Sequence, residues 1–285
     1  MPCAGYKYFL SCCMTMKNEG KFLKEWLDHY INQGVEHFYL IDNGSTDNTM
    51  EIVKQYDNIT LFKDSRFYAA NQEKIYVENL RIVIKESKWS MIVDADELIK
   101  GQNGYTIETY LKNLSPSIGM IYVIWKMFIN KTDSVDKMKD IKTRFNYNFL
   151  NDSNLLDNKH YYENLKYFLM FGKSIFKTQD IDKLRVHKTV TPGTIIDNFN
   201  RQDTIWPDTI VLTCEHINEE ALNKADIVLN HYFIKTCKEY EHRIKKSEEK
   251  DSWYWCAAQN AVGWDYLGFL KHLYNLDEKY LIEEP

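Results

Sequence analysis

Two carboxylates one residue apart are the side chains of this sequence best suited to chemistry. Asp94 and Asp96 belong to the tetrad at residues 94–97 and follow the apolar run at residues 89–93, which predicts a buried strand. Carboxylates crowded at the end of a strand repel each other and lose hydration. A divalent cation offsets both costs, because hard cations prefer oxygen ligands. The spacing therefore suggests a metal-bound phosphate or diphosphate site, and a solvated acidic turn is the alternative.

Strand and helix patterns alternate along the first hundred residues. Apolar runs predict four buried strands, at residues 9–15, 35–41, 59–62 and 91–93. Amphipathic stretches predict three helices between them, at residues 21–33, 49–56 and 72–88. The apolar stripe of the first helix includes Ile31, and Gly34 should end that helix. This order predicts a doubly wound α/β layer, whose right-handed crossovers place the carboxyl ends of the strands at one rim.

Polar residues collect at this predicted rim, where ligands of such sheets bind. The rim holds Thr15, Lys17, Asn18, Asp42, Asn43, Asp94 and Asp96. Their convergence distinguishes the acidic tetrad from an isolated pair of carboxylates.

The remainder of the chain gives weaker patterns. We expect a short helix within residues 101–114 and strands at residues 119–128 and 169–176. Residues 130–168, rich in Asn, Asp and Lys, predict a mobile loop region, with irregular surface structure as the alternative. Residues 236–250 predict a charged helix.

Composition argues against several classes of protein. The net charge of -5 offers no basic face for nucleic acid. No stretch reaches the roughly 18 apolar residues that cross a bilayer, and residues 8–16 lack a signal-peptide cleavage site. The six cysteines form no C-x-x-C pair, which argues against a zinc cage and favours a reduced, cytoplasmic location. Cys12 and Cys13 should be buried on opposite faces of the first strand, and peripheral membrane association stays open.

Two common ligand-binding motifs are excluded. An EF-hand loop counted from Asp94 needs Gly and Glu where Ile99 and Tyr105 stand. The segment after the first strand, residues 16–20, lacks the G-x-G-x-x-G of a dinucleotide site, and the sequence has no P-loop.

Five segments are informative together: Thr-Met-Lys-Asn-Glu at residues 15–19, Glu-Trp-Leu-Asp-His-Tyr at 25–30, Gly-Val-Glu-His-Phe at 34–38, Ile-Asp-Asn-Gly-Ser-Thr-Asp at 41–47 and Asp-Ala-Asp-Glu at 94–97. They resemble the start of a GT-A glycosyltransferase. The similarity is closest to the family-2-like and family 92 groups. It continues at scattered positions: Trp125, Phe128, residues 144–145, residues 172–175, His187, residues 230–232 and residues 239–240.

The resemblance implies a GT-A fold, which is a Rossmann-like, mixed and mostly parallel sheet flanked by helices. It implies one domain at residues 1–235, with a nucleotide-sugar-binding half at 1–100 and an acceptor half at 101–235. Residues 236–285 would form a helical C-terminal extension.

The resemblance also implies a role for each matched residue of the site. Thr15 and Asp42 would hold the uracil or ribose of a nucleotide-sugar, with Lys17, Asn18 and Asn43 nearby. Asp96 would bind Mn²⁺ or Mg²⁺ directly, and Asp94 would reach the ribose, or the metal through water. His231 is the first choice to complete the metal shell and His187 the second, while a hydrogen-bonded structural histidine is the alternative for each.

The implied activity is metal-dependent transfer of a sugar, with inversion, from a nucleotide-sugar to a hydroxyl acceptor. A UDP-sugar is the favoured donor, and a glycan, glycoprotein or glycolipid is the acceptor. The catalytic base is not placed by the sequence. Its candidates are Asp140, Asp152, Asp180, Asp182, Asp203 and Asp208. Two alternatives remain: a sugar-phosphate nucleotidyltransferase, and a catalytically silent glycan- or nucleotide-binding protein.

Overall fold

The computed structural model describes residues 5–81, 83–129, 172–179, 181, 183–189, 191–200, 202 and 219–234. Within them, nine strands form one mixed sheet: β1 (Tyr8–Met16), β2 (His37–Asp42), β3 (Ile59–Lys63), β4 (Ser87–Ile92), β5 (Glu97–Gly101), β6 (Ile118–Ile129), β7 (Gly172–Lys177), β8 (Thr194–Asp197) and β9 (Ile227–Ile234). The accompanying α-helices are α1 (Leu23–Asn32), α2 (Thr49–Val53), α3 (Tyr68–Leu80), α4 (Ile107–Asn113) and α5 (Glu219–Lys224). No helix in the described part of the chain is long and apolar enough to cross a bilayer.

A parallel layer is formed by β3, β2, β1 and β4, in that order. Met16 pairs with Asp42, and Asp42 pairs with Lys63, so three of these strands end at one level. The fourth strand, β4, ends three residues earlier, because its last residue Ile92 pairs with Cys13 and the Val93 N–H donates to the Cys13 carbonyl at 3.0 Å. The tetrad that follows β4 therefore reaches the same rim. The predicted α/β sheet, with its polar rim at the carboxyl ends of the strands, is confirmed.

The rest of the sheet is mixed. Strand β7 runs antiparallel to both β4 and β6, while β9 runs parallel to β6 and antiparallel to β5. The part of β6 up to Ile124 pairs with β7, and the part from Trp125 onward pairs with β9. Strand β6 therefore connects the parallel layer to the β9–β5 pair, and β8 pairs with the start of β6.

The predicted limits of one helix are wrong, and the sequence pattern misses strand β5. The helix predicted at residues 72–88 begins at Tyr68 and ends at Leu80, and a 3-10 helix (Val83–Glu86) precedes β4. Alanines near the start favour helix, whereas β-branched residues after Leu80 disfavour it. The sequence pattern also predicts no strand at Glu97–Gly101, where β5 lies, because this strand depends on pairing with the distant β9.

The sheet separates two hydrophobic clusters. Cys12 and Cys13 belong to opposite clusters and both are fully buried, as predicted. Helix α1 covers one face with Trp26 and Tyr30, and α3 covers the other with Tyr76. Full burial of one such side chain contributes roughly 1.5–3 kcal/mol, so each helix is held mainly by the stripe that it buries.

Helix α1 ends at the predicted glycine. Gly34 has a φ of +90°, and a Cβ built there would lie 2.3 Å from the Glu108 Cβ, so both backbone and packing require glycine. Ile31, which the apolar stripe assigns to the core, is instead 40% exposed, and that prediction is wrong.

Candidate active site

The loops after β1 and β2 are held together by hydrogen bonds. Asn18, with a φ of 58°, donates its N–H to Ser45 Oγ at 3.0 Å, and its Oδ1 accepts the Thr46 N–H at 2.7 Å. Asp42 is buried, and its Oδ1 accepts the Ser45 N–H at 2.9 Å. These bonds hold the Asp42 carboxylate at the rim and use the Asn18 side chain for structure, while Lys17 is exposed beside them.

Thr15 and Asn43 differ in what their side chains can offer to a ligand. The Thr15 N–H donates to the Tyr76 hydroxyl at 3.0 Å, but the Thr15 hydroxyl oxygen is buried without a hydrogen-bond partner among the described residues. The Asn43 amide donates to the carbonyls of Asp64 and Arg66. The Thr15 hydroxyl can therefore form a hydrogen bond to a ligand, whereas the Asn43 side-chain amide is bonded to the loop after β3.

The acidic tetrad forms a tight turn between β4 and β5. The Glu97 N–H donates to the Asp94 carbonyl at 3.1 Å, and the Asp94 N–H donates to Glu97 Oε2 at 2.7 Å. Glu97 is fully buried, and its Oε1 accepts the indole N–H of Trp125 at 2.7 Å. Glu97 is thus a buried acceptor that shapes the turn.

A buried lysine lies against this turn. Lys173 on β7 is fully buried, and its Nζ lies 2.8 Å from Asp94 Oδ2 and 3.4 Å from Glu97 Oε2. Buried lysines are rare unless they are paired with acids. The predicted strand at residues 169–176 contains this lysine among apolar neighbours, and that pattern was the available signal that a counter-charge is needed.

The charges in this cluster shift one another's pKa values. Burial raises the pKa of Glu97 to about 8, and the Lys173 ammonium only partly offsets this effect. Burial alone would raise the pKa of Asp94, but Lys173 more than reverses it, and the net pKa is lowered. Burial lowers the pKa of Lys173, yet the Asp94 and Glu97 carboxylates raise it more, so the ammonium stays charged.

Asp96 and His231 are brought together by the pairing of β5 with β9. Glu97 is in register with His231, and the Tyr232 N–H donates to the Asp96 carbonyl at 2.8 Å. The Asp96 Oδ1 lies 3.6 Å from His231 Nε2, and the His231 ring packs on Trp125 with centroids 4.4 Å apart. The first-choice histidine of the sequence prediction therefore lies beside the acid expected to bind metal.

His187, the second choice, contacts β7 and the same tryptophan that the His231 ring packs on. Its Nδ1 is 3.2 Å from the Gly172 carbonyl, and its ring meets Trp125 edge-on at 5.6 Å. Burial, together with the Lys173 charge, lowers the pKa of His187 to about 3, so the ring is neutral.

The donor set beside the turn fits a divalent ion in part. Asp96 and His231 supply one oxygen and one nitrogen, a combination that suits Mn²⁺ better than Mg²⁺. Asp94 is already paired with Lys173. Within the described residues, no group of three His, Cys, Asp or Glu side chains is arranged to hold a metal. A metal bound here would need further oxygen ligands from a diphosphate or from water.

Other predicted site residues fall outside the described residues. They are the base candidates Asp140, Asp152, Asp180, Asp182, Asp203 and Asp208. The loop predicted at residues 130–168 and the extension at residues 236–285 lie outside them as well.

A pocket elsewhere on the surface is separate from these residues. It encloses about 390 Å³ and is lined by Val77 of α3, by Arg81 directly after that helix, and by Leu184 and Arg185. None of its described lining residues belongs to the acidic turn or to the Asp96–His231 pair. The candidate active site is therefore identified by its chemistry rather than by the depth of a cavity.

An α/β sheet with polar groups gathered at the carboxyl ends of its parallel strands is typical of ligand-binding α/β enzymes. The family model of glycosyltransferase family 92 matches residues 7–232. The chain belongs to glycosyltransferase family 92.

Named relatives share part of this chain. A glycosyltransferase family 92 protein of Oryza sativa subsp. japonica is 25% identical over 112 residues, which are 38% of this chain and 19% of the relative. A family 92 protein of Ricinus communis is 27% identical over 108 residues, 37% of this chain and 19% of the relative. The matched segment thus spans about a fifth of the length of these relatives.

Solved structures show a more distant similarity. The S. aureus TarS 1-349 structure in complex with UDP has a TM-score of 0.35 and 17% identity, covering 60% of this chain and 47% of that chain. The Mycobacterium tuberculosis glucosyl-3-phosphoglycerate synthase in complex with Mn²⁺, UDP and glucosyl-3-phosphoglycerate has a TM-score of 0.32 and 13% identity, covering 61% and 58%.

Proposed function

We propose that this chain is a metal-dependent, inverting glycosyltransferase of the GT-A type that transfers a sugar from a UDP-sugar to a hydroxyl of a glycan, glycoprotein or glycolipid. The observation that carries the proposal is the meeting of Asp96 with His231 beside Asp94, at the edge where β1 and β2 present Thr15 and Asp42. Membership of family 92 supports the reaction class.

The nucleoside would lie against the ends of β1 and β2. One oxygen of the Asp42 carboxylate accepts the Ser45 N–H, which leaves the other able to accept from a uracil N–H or a ribose hydroxyl. The Thr15 hydroxyl can donate to or accept from the same ligand. The bonds between the Asn18 and Ser45 loops hold these groups in place before the ligand arrives.

Asp96 and His231 would hold Mn²⁺ or Mg²⁺ next to the diphosphate. The bound ion would supply Lewis-acid neutralisation of the charge that develops on the leaving nucleoside diphosphate. His231 can bind metal only through a neutral ring nitrogen. Lys173 keeps Asp94 oriented and charged, so that its exposed part can accept a hydrogen bond from the ribose.

Inversion requires a base that accepts the proton of the acceptor hydroxyl as that oxygen attacks the anomeric carbon. We expect this base among the six aspartates predicted from the sequence, all of which belong to the half of the chain expected to bind the acceptor.

The test is release of UDP from a panel of UDP-sugars with Mn²⁺, comparing wild type with Asp96→Asn. We expect the Asp96→Asn change to lower kcat/KM by about 100-fold or more, since it removes a direct metal ligand. Asp28→Asn is the matched control, because that side chain is 45% exposed on α1 and pairs with Lys24. It should retain activity within about twofold.

Three results would contradict the proposal. Equal activity of Asp96→Asn and Asp28→Asn would remove the metal role of Asp96. Binding of UDP-sugar without turnover would favour a silent binding protein. Release of pyrophosphate from a nucleoside triphosphate and a sugar phosphate would favour a nucleotidyltransferase.

A further inference from the structure

The position of Lys173 is dictated by the sheet. Lys173 lies on β7, and its register partner on the neighbouring strand β6 is Val123. A Cβ at the preceding residue, Gly172, would lie 2.1 Å from the Val123 carbonyl oxygen, so the backbones approach closely at this point. Strand β7 also pairs with β4, through residues 175–177, and β4 leads directly into the acidic turn. The strand that carries Lys173 is therefore held between two neighbouring strands.

The Lys173 ammonium is held as closely as its backbone. The residue is fully buried, and its Nζ contacts Asp94 Oδ2 at 2.8 Å and Glu97 Oε2 at 3.4 Å. An ammonium in such surroundings is stable only while it stays paired. It cannot swing to solvent without breaking both contacts, so a positive charge stays beside the acidic turn.

The tetrad is therefore divided by its contacts. Asp94 and Glu97 face Lys173, whereas the Asp96 carboxylate faces His231 at 3.6 Å. Lys173 supplies the counter-charge for Asp94 and Glu97. Asp96 and His231 together present an oxygen and a nitrogen to an incoming ion.

We propose that Lys173 is a resident cation of the acidic turn, a positioning residue that occupies Asp94 and Glu97 and thereby reserves Asp96 and His231 for the divalent metal. The inference deepens the proposed function and rests on it for the metal, but its test needs no sugar transfer. Replacing the ammonium by a neutral chain of similar length should release Asp94, whose side chain is partly exposed, to act as an additional metal ligand.

The first experiment is thermal unfolding of the full chain in EDTA and in excess Mn²⁺, for wild type, Lys173→Met and Lys177→Met. Lys177 lies on the same strand and its Nζ bonds the Pro116 carbonyl, away from the turn, so it is the matched control. We expect Lys173→Met to melt lower than wild type in EDTA. Mn²⁺ should raise its melting temperature by about 3 °C or more beyond the rise seen for wild type.

A purely structural role for Lys173 gives a different result. The Lys173→Met variant would then lose the same number of degrees in EDTA and in Mn²⁺, and the inference would be overturned. Lys177→Met should follow wild type in both buffers, and a Mn²⁺ response as large as that of Lys173→Met would also overturn it.

A second experiment leaves Lys173 in place, in case Lys173→Met does not fold. Calorimetric titration with Mn²⁺ should give Asp94→Asn a Kd within about threefold of wild type, while Asp96→Asn should weaken Kd by about tenfold or more. Equal weakening in both variants, or no Mn²⁺ binding by any folded form, would refute the resident-cation role. Normal Mn²⁺ binding without UDP-sugar turnover would instead count against the proposed function alone.

Discussion

Two buried tryptophans allow the bond to Glu97 to be measured against a matched reference. The Trp125 indole N–H donates to the Glu97 carboxyl at 2.7 Å, and the Trp26 indole N–H donates to the Asp94 main-chain carbonyl at 3.1 Å. Each indole also contacts two other rings. Replacing either tryptophan by phenylalanine removes the same atoms, so the difference between the variants reports mainly the hydrogen-bond acceptor.

The magnitude depends on the charge of Glu97. A hydrogen bond to a charged group contributes about 1.5–3 kcal/mol and a neutral one about 0.5–1.5 kcal/mol. With Glu97 ionised, Trp125→Phe should therefore lower the free energy of unfolding by about 1–1.5 kcal/mol more than Trp26→Phe. With Glu97 protonated, the two changes should cost nearly the same.

The pH at which this difference appears follows from the raised pKa of Glu97. Burial raises it to about 8, against about 4.3 in an unfolded chain. Between these pH values Glu97 holds a proton in the folded chain that it releases in the unfolded chain. The contribution of Glu97 to the free energy of unfolding is therefore fully present below about pH 4.3 and is lost as the pH rises toward 8. Trp125→Phe removes a hydrogen bond to the ionised Glu97 carboxylate and so raises the pKa of Glu97 further. The variant therefore continues to lose stability as the pH rises above 8.

The assay is urea unfolding of wild type, Trp125→Phe and Trp26→Phe in EDTA, at about pH 6 and about pH 9. We expect the gap between the two variants to be close to zero at the lower pH and about 1–1.5 kcal/mol at the higher. A gap that is the same at both values would refute the reasoning, because Glu97 would then not change charge against the Trp125 N–H.

Two further predictions concern the neighbouring residues. Gly172→Ala places a Cβ 2.1 Å from the Val123 carbonyl oxygen and should lower the free energy of unfolding by about 1–3 kcal/mol. Gly104→Ala, at a φ of +88° in open space, should lower it by only about 1 kcal/mol. Urea unfolding that ranks the two variants in the reverse order would contradict this prediction. The pKa of His187 is lowered to about 3, so stability should fall as the pH drops from about 6.5. His187→Asn should make that fall less steep in pH-dependent urea unfolding, and an unchanged slope would count against it.

The sequence predicts the parallel layer well because its signals are local. Continuous apolar runs identify the strands that become β1 to β4, and the amphipathic stripe with Gly34 identifies α1. Since parallel strands joined by helices end on one side, the rim position of Thr15, Asp42 and Asp94 follows from order along the chain alone. The limits of several elements differ from the prediction, most of all those of α3 and of β4, which begins at Ser87. The exposure of Ile31 also differs, and it depends on packing.

What the sequence by itself determined is the chemistry at the ends of the parallel strands, including the acidic pair and the expectation of a divalent ion. Only the tertiary structure decided how the tetrad is divided. Strand β5 exists through pairing with β9, which brings His231 to Asp96, and Lys173 reaches Asp94 from β7. These contacts join residues far apart in the chain. They depend on the register of the sheet and on the cost of burying an unpaired charge, and a local sequence pattern predicts neither.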